Sequence, residues 1–170
     1  HKGFDLIRYL GDGIMDLPIQ LAVLGSGEAV YEEFFRGLQN RFPGRVRMVT
    51  GFDPRLAKQI YAGSDAFLMP SRSEPCGLSQ MVALRYGAIP IVRETGGLKD
   101  SVRDLGGENG NGFTFKAYNA HDMLDAVQRC AALYADQEKW RAAVVTAMHC
   151  DNSWHRSAKV YRMLYKKLKG

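Results

Sequence analysis

The sequence predicts an α/β fold, a Rossmann-like parallel sheet with helices on both faces. Short apolar runs of strand length recur at residues 19–24, 46–50, 66–69, 89–92 and 113–115. Between them lie segments whose apolar residues recur at helical spacing. The first four runs empty into turns rich in Gly, Ser or Pro, so strand, loop and helix repeat in a fixed order. Such alternation builds a parallel sheet, because right-handed crossovers place the helices on its faces.

In chain order, Phe4, Ile7, Leu10 and Ile14 share a helical face that Gly11 and Gly13 weaken and Pro18 ends. Residues 19–24 then read as a buried strand entering the turn Gly25-Ser26-Gly27. Val30, Phe34 and Leu38 mark a helix closed by Pro43 and Gly44. The strand at 46–50 runs into a turn at 51–54, and Leu56 with Ile60 gives the inner face of a short helix. A third strand at 66–69 leads through a loop to a helix at 78–86, which Gly87 can end in the left-handed conformation. After the fourth strand, Thr95, Gly96 and Gly97 open a short helix around 98–103. Residues 106–112 are the most loop-like part of the chain, and 113–115 form the fifth strand. Helical faces follow: Met123, Val127, Ala131 and Tyr134, then Trp140, Val144 and Met148. The last runs through Trp154, Ala158, Tyr161, Leu164, Tyr165 and Leu168 and is expected to pack.

The 170 residues fit one domain, with 46% hydrophobic and 24% charged residues, the balance of an ordinary globular protein. No apolar run approaches the roughly 20 residues of a membrane span. The net charge of +5 does not argue for nucleic acid, since basic residues scatter except for Lys159, Arg162, Lys166, Lys167 and Lys169 on the final helix. Cys76, Cys130 and Cys150 have no CxxC or Cys/His ligand spacing, and His121, His149 and His155 have no metal spacing. No metal or cofactor is expected, and a reducing cytoplasm suits the thiols.

In parallel sheets ligands lie beyond the carboxyl ends of the strands, where the turns at 25–27, 51–53, 71–79 and 95–97 all fall. Gly25 and Gly27 allow close backbone approach. In S-R-S-E-P-C-G-L-S-Q (residues 71–80), Pro75 and Gly77 force a turn, and the amides near Leu78 and Ser79 are free to receive an anion such as a diphosphate. Ser79 can also serve simply as an N-cap. Cys76 lies in the same turn as either a reactive or a structural thiol. Glu74 places a carboxylate where it can face a substrate.

This loop resembles, position by position, the S-R-x-E-P-C-G-L-[ST]-Q of bacterial glycogen synthases and plant starch synthases, and nearly the whole chain is similar to their C-terminal, sugar-nucleotide-binding domain. The resemblance implies the C-terminal half of a GT-B glycosyltransferase that transfers glucose from ADP-glucose to an α-1,4-glucan with retention. It implies a domain spanning 1–170 with the N-terminal acceptor domain outside it and the first strand cut short before His1. His1, Lys2 and Gly3 match the end of a motif that usually reads R-L-x-x-Q-K-G, with His where Gln is common. By the same resemblance Lys2 contacts the donor diphosphate and Glu74 is the essential carboxylate. Cys76, Gly77, Leu78 and Ser79 form the phosphate-binding turn, and Thr95, Gly96, Gly97 and Leu98 match T-G-G-L near the donor.

Phe52 stands where an aromatic meets the nucleotide base in G-[YF]-D, with core packing as its other reading. Val82 occupies the position where many GT-B relatives carry a second glutamate. Asn152, Ser153 and Trp154 resemble the segment opening a last helix that returns to the N-terminal domain. The partners implied are ADP-glucose, the glucan and the missing domain, in a bacterial cytoplasm or a plastid; the isolated 170 residues are expected to be inactive. The residues also allow another GT-B glycosyltransferase, or a nucleotide- or glucan-binding module without turnover.

Overall fold

The computed structural model describes residues 1–169, so Gly170 of the expected domain lies outside the described residues. Helix α1 (Phe4–Leu10) passes into a 3₁₀ helix (Gly11–Asp16), the break falling at Gly11, where φ is 57°. Then follow β1 (Leu21–Gly25), α2 (Ala29–Arg41), β2 (Val46–Thr50), α3 (Pro54–Gly63) and β3 (Ala66–Met69). The second half contains α4 (Ser79–Tyr86), β4 (Ile89–Arg93), α5 (Gly96–Ser101), β5 (Phe113–Phe115), α6 (Ala120–Ala135), α7 (Gln137–Met148) and α8 (Trp154–Lys169). Asp53 caps α3 by accepting from the amides of Arg55 and Leu56, both at 2.9 Å, with Pro54 in the first turn. Gly87 ends α4 at φ 83°, as its position after Tyr86 predicts.

Every strand pair is parallel, but the strands divide into two sheets, β1-β2 and β3-β4-β5. The main core spans both, with Phe35, Leu38, Leu84, Ile89, Met123 and Trp140 buried in one cluster. A smaller cluster of Met69, Val92, Leu98 and Val102 packs beneath the loops after β3 and β4. At the foot of β1, the Arg45 guanidinium collects the carbonyls of Met15, Leu17 and Ile19, tying the broken first helix to β2.

Three expectations change. The run at 19–24 is only half-buried instead of a core strand, because the β1 edge away from β2 lines an open cleft. In α2 the chain buries Phe35 with Leu38 and leaves Val30 exposed, so the inward stripe sits one residue beyond the Val30–Phe34 face. The apolar face of α8 does not pack: Trp154 is 88% exposed and every described residue of the helix is exposed. The helix follows the 150–153 turn away from the core, so its face meets no surface among the described residues. No helix of the described residues is long and apolar enough to cross a membrane.

Candidate functional site

Four loops occupy the carboxyl ends of β1 to β4, and they form two groups. The first lies over β1-β2. Gly25 pairs with Thr50 at the end of the ladder, and its carbonyl accepts from the Gly51 amide at 3.2 Å, which sets the 25–27 turn beside the 51–53 turn. A Cβ on Gly25 or Gly27 would meet nothing within 4 Å, so these glycines border open space. The Gly27 amide donates to Glu32 Oε1 at 3.1 Å. Phe52 is 92% exposed, which rules out core packing for this ring.

The second group lies over β3-β4 and is tightly built. Lys2 Nζ stands 2.6 Å from Glu74 Oε2, and the buried Ser71 hydroxyl donates to the same oxygen at 3.3 Å. Glu74 retains only 12% of its side-chain exposure, against 62% for Lys2, so the carboxylate is fixed while the ammonium faces solvent. Gly3 makes this approach possible: at φ 81°, its backbone lies so close to β3 that a Cβ would fall 2.1 Å from the Pro70 carbonyl oxygen. The Lys-Gly pair thus brings the lysine to the loop 72 residues later.

The 95–97 turn closes on the 74–76 turn by the same device. A Cβ on Gly96 would lie 2.2 Å from the Glu74 carbonyl oxygen, and one on Gly97 1.9 Å from that of Cys76. The Gly97 amide donates to the carbonyls of Glu74 and Pro75, both at 3.2 Å. Thr95 precedes α5 with no side-chain cap bond, leaving its hydroxyl uncommitted. Cys76 is exposed in the turn, and Gly77 takes φ 69°.

Helix α4 starts at Ser79 with Leu78 in the N-cap position, and no side chain caps it. The Ser79 N-cap reading is therefore corrected: Ser79 is already the first helical residue, and the Met81 and Val82 amides bond the Leu78 carbonyl. The amides of Ser79 and Gln80 precede that first bond and stand free of the helix ladder. Leu78 is 67% exposed beside them.

The structure adds four residues to this group. Ser71 orients Glu74, as above. Arg93, at the end of β4, donates from Nε to the Ser71 carbonyl at 2.9 Å and from Nη2 to the Arg72 carbonyl, bracing the loop from below. The Tyr118 ring lies under the guanidinium groups of Arg72 and Arg93, at 4.7 and 5.5 Å from its centre. Burial and the Asp5 carboxylate, which accepts the Tyr118 hydroxyl at 2.5 Å, push its phenol up to about 12. Gln80 is fully buried and donates to the Cys76 and Gly77 carbonyls and to Ser101 Oγ, joining the 71–79 loop to α5. The Gln at the end of the decapeptide was the one sequence signal for this brace; Arg93 reads as a strand terminus and gives none. No hydrogen bond or ion pair of the described residues joins the Phe52 group to the Glu74 group.

Over β3-β4 a lysine pairs with a fixed carboxylate near a helix start that no side chain caps, and over β1-β2 Phe52 presents an exposed ring. The family described as Glycosyl transferases group 1 matches residues 1–144. The chain belongs to the group 1 glycosyltransferases. It is 51% identical to a glycogen synthase of Bacillus subtilis (strain 168) over 98% of this chain and 35% of that protein. A glycogen synthase of Desulforamulus reducens is 52% identical with the same shares covered. The catalytic domain of starch synthase IV from Arabidopsis thaliana, solved with ADP and acarbose, superposes with a TM-score of 0.85 at 39% identity, over 98% of this chain and 36% of that one. The chain therefore spans about a third of the length of the curated relatives it matches, and its fold is that of the C-terminal half of a GT-B glycosyltransferase.

Proposed function

We propose that this chain is the donor-binding half of a glucosyltransferase that elongates an α-1,4-glucan from ADP-glucose in the cytoplasm. The observation that carries the proposal is the Lys2–Glu74 contact of 2.6 Å at the free start of α4. The identity of about half of all positions to bacterial glycogen synthases, and the ADP bound by the starch synthase relative, support the choice of donor.

In this reading the ADP diphosphate lies at the Ser79 and Gln80 amides, where the partial positive charge of a helix start favours an anion. Lys2 joins it as a compact cation with three donors. The adenine stacks on Phe52, and Gly25 and Gly27 leave room for the nucleotide. With Lys2 drawn to phosphate, Glu74 accepts hydrogen bonds from the glucose hydroxyls while Ser71 keeps it in place. The bond between the anomeric carbon and the diphosphate oxygen breaks, and the leaving electron pair stays on the diphosphate, stabilised by Lys2 and the helix amides. Positive charge develops on the sugar ring, and the Glu74 carboxylate stabilises it without bonding to it. The acceptor hydroxyl attacks on the departing face, its proton passing to the leaving phosphate, so that configuration is retained. Closure of the 95–97 turn on the 74–76 turn keeps these groups in register.

Titration calorimetry of the chain with ADP, UDP and pyrophosphate tests the donor assignment. ADP is expected to bind more tightly than UDP. Equal heats for both nucleotides, or none for either, would overturn it.

A further inference from the structure

We propose that Gln80 is a positioning residue for the donor diphosphate: its buried side-chain amide holds the carbonyls of the 74–77 turn inward and so turns the backbone amides of Cys76, Gly77 and Leu78 outward, toward the phosphates. The phosphate role rests on the donor reading above, whereas the bracing of the turn stands on its hydrogen bonds alone.

Gln80 lies fully buried in the first turn of α4. Its Nε2 donates to the Gly77 carbonyl at 2.8 Å, to Ser101 Oγ at 3.0 Å and to the Cys76 carbonyl at 3.3 Å, so two hydrogens serve three acceptors. Ser101 Oγ passes its own hydrogen to the Gly97 carbonyl at 2.6 Å. The Gly97 amide returns to the Glu74 and Pro75 carbonyls, both at 3.2 Å. A ring of hydrogen bonds through two side chains thus closes on both turns, and every carbonyl from Glu74 to Gly77 has a donor on the inner side. The peptide bonds are trans, so each amide points opposite to the carbonyl of its own peptide group. With the carbonyls of Pro75, Cys76 and Gly77 held inward, the amides of Cys76, Gly77 and Leu78 face outward, and none of the three donates to a group of the described residues. Successive amides along a turn that includes a left-handed residue, here Gly77 at φ 69°, form a concave seat for an anion. They continue the row of free amides that Ser79 and Gln80 provide at α4.

Stability does not explain an amide at this position. Gln80 Oε1 is buried with no hydrogen-bond partner among the described residues. It lies against Gly77, where a Cβ would fall 2.6 Å from it. An unpaired buried acceptor costs free energy, and leucine, of similar size, would spare that cost. What leucine lacks is the Nε2 donor that turns the carbonyls. Glutamate would instead set a carboxylate against the Cys76 and Gly77 carbonyl oxygens. The enclosed side chain does not reach the phosphates itself, so it acts through the backbone of the turn.

The test titrates pyrophosphate by calorimetry into the unaltered chain, Gln80→Leu, Ser101→Ala, the double variant and Met123→Ala. Met123 is buried in the main core on α6 and serves as the control for lost stability. Gln80→Leu should weaken pyrophosphate by about tenfold or more, the scale of hydrogen bonds to a charged group. It should also speed hydrogen exchange at the Gly97 amide and maleimide labelling at Cys76, the two sides of the released ring. Met123→Ala should keep the affinity within about twofold even where it melts lower than Gln80→Leu. The double variant should lose no more affinity than Gln80→Leu, because both changes open one ring. Where Gln80→Leu does not fold, Ser101→Ala is held to the same signs. Pyrophosphate affinity unchanged in the folded variant, or weakened as much by Met123→Ala, would overturn the role of Gln80 and leave the donor reading standing. Unchanged Gly97 exchange and Cys76 labelling would overturn the brace. Absence of pyrophosphate heat from the unaltered chain would overturn the donor reading and the phosphate role with it.

Discussion

Lys2 Nζ and Glu74 Oε2 lie 2.6 Å apart across 72 residues of sequence, and Ser71 Oγ holds the same carboxylate oxygen from the buried side. The two residues offered separately for phosphate and sugar are thus partners before any ligand arrives. In the proposed reading, a donor diphosphate draws the exposed ammonium away from the carboxylate and leaves Glu74 on its Ser71 anchor to meet the sugar. Glu74→Gln should leave ADP affinity of the chain nearly unchanged or slightly raised, since Lys2 loses a competitor for phosphate. In the full-length enzyme the same change should lower turnover by about a hundredfold, the scale of one placed electrostatic group. Near-normal turnover, or loss of ADP binding with the fold intact, would contradict the separate roles.

Lys2→Ala should weaken ADP and pyrophosphate alike, and the difference from the unaltered chain should shrink as salt is raised, because the ammonium is exposed. Phe52→Ala should weaken ADP by roughly 1 to 3 kcal/mol and leave pyrophosphate unaffected, by analogy with bases stacked on aromatic side chains. Titration of both ligands into both variants separates the corner proposed to meet phosphate from the ring proposed to meet the base. A pyrophosphate loss with Phe52→Ala would place the ring elsewhere.

The two glycine turns give opposite expectations. Gly97→Ala puts a methyl 1.9 Å from the Cys76 carbonyl oxygen, backbone against backbone, and should cost roughly 1 to 3 kcal/mol of stability. Gly25→Ala meets nothing within 4 Å and should change stability by no more than about 0.5 kcal/mol. If nucleotide backbone passes over Gly25, that variant lowers ADP affinity despite its normal melting. Equal melting temperatures for the two variants would remove the close approach as the reason for Gly97.

These contrasts show where the sequence was legible. Apolar period and turn residues located all five strands and the loops at their carboxyl ends, because both signals are local. S-R-S-E-P-C-G-L-S-Q marked Glu74 and the α4 start for the same reason. Ser71 and Arg93 were illegible in their roles: an inward serine and a strand-end arginine look like many others, and their function depends on which carbonyl or carboxylate the fold brings near. Gly96 and Gly97 read as a helix-opening turn that the resemblance sets near the donor, while their close contact with residues 74–76 was not legible. The division of the sheet was hidden as well, since strand identity is local and strand neighbours are not.

The thiols differ by burial. Burial, with the Asp65 carboxylate adding to it, pushes the Cys130 thiol up to about 12 against the opposing charge of Arg129, whereas Cys76 is exposed in the 74–77 turn. At pH 8 a maleimide should modify Cys76 first and Cys130 only on unfolding, as read by mass spectrometry of peptides. ADP should slow the Cys76 reaction without changing the rate at Cys130. Labelling of Cys130 in the folded chain would contradict its closed environment.

Asp104 gives an acid-side expectation remote from the site. Burial pushes its carboxyl up, but the Thr114 and Gly106 amides and the Arg129 guanidinium at 2.9 Å outweigh it and hold the group below the ordinary value. A carboxyl that is more acidic folded than unfolded stabilises the fold fully above its unfolded value of about 3.9. That contribution is lost as pH falls through the lower folded value, when protonation releases the amides and Arg129. Asp104→Asn should therefore be less stable than the unaltered chain at pH 7, since Arg129 loses a partner that also links β5 to α6. The gap in urea midpoint should narrow as pH drops below about 4, where the native carboxyl also loses its charge. Asp136 and Asp151 are lowered as well and contribute to the acid slope of both proteins, so the difference between the two curves isolates Asp104. A gap that stays constant from pH 7 to pH 3 would mean that Asp104 acts through shape and not through charge.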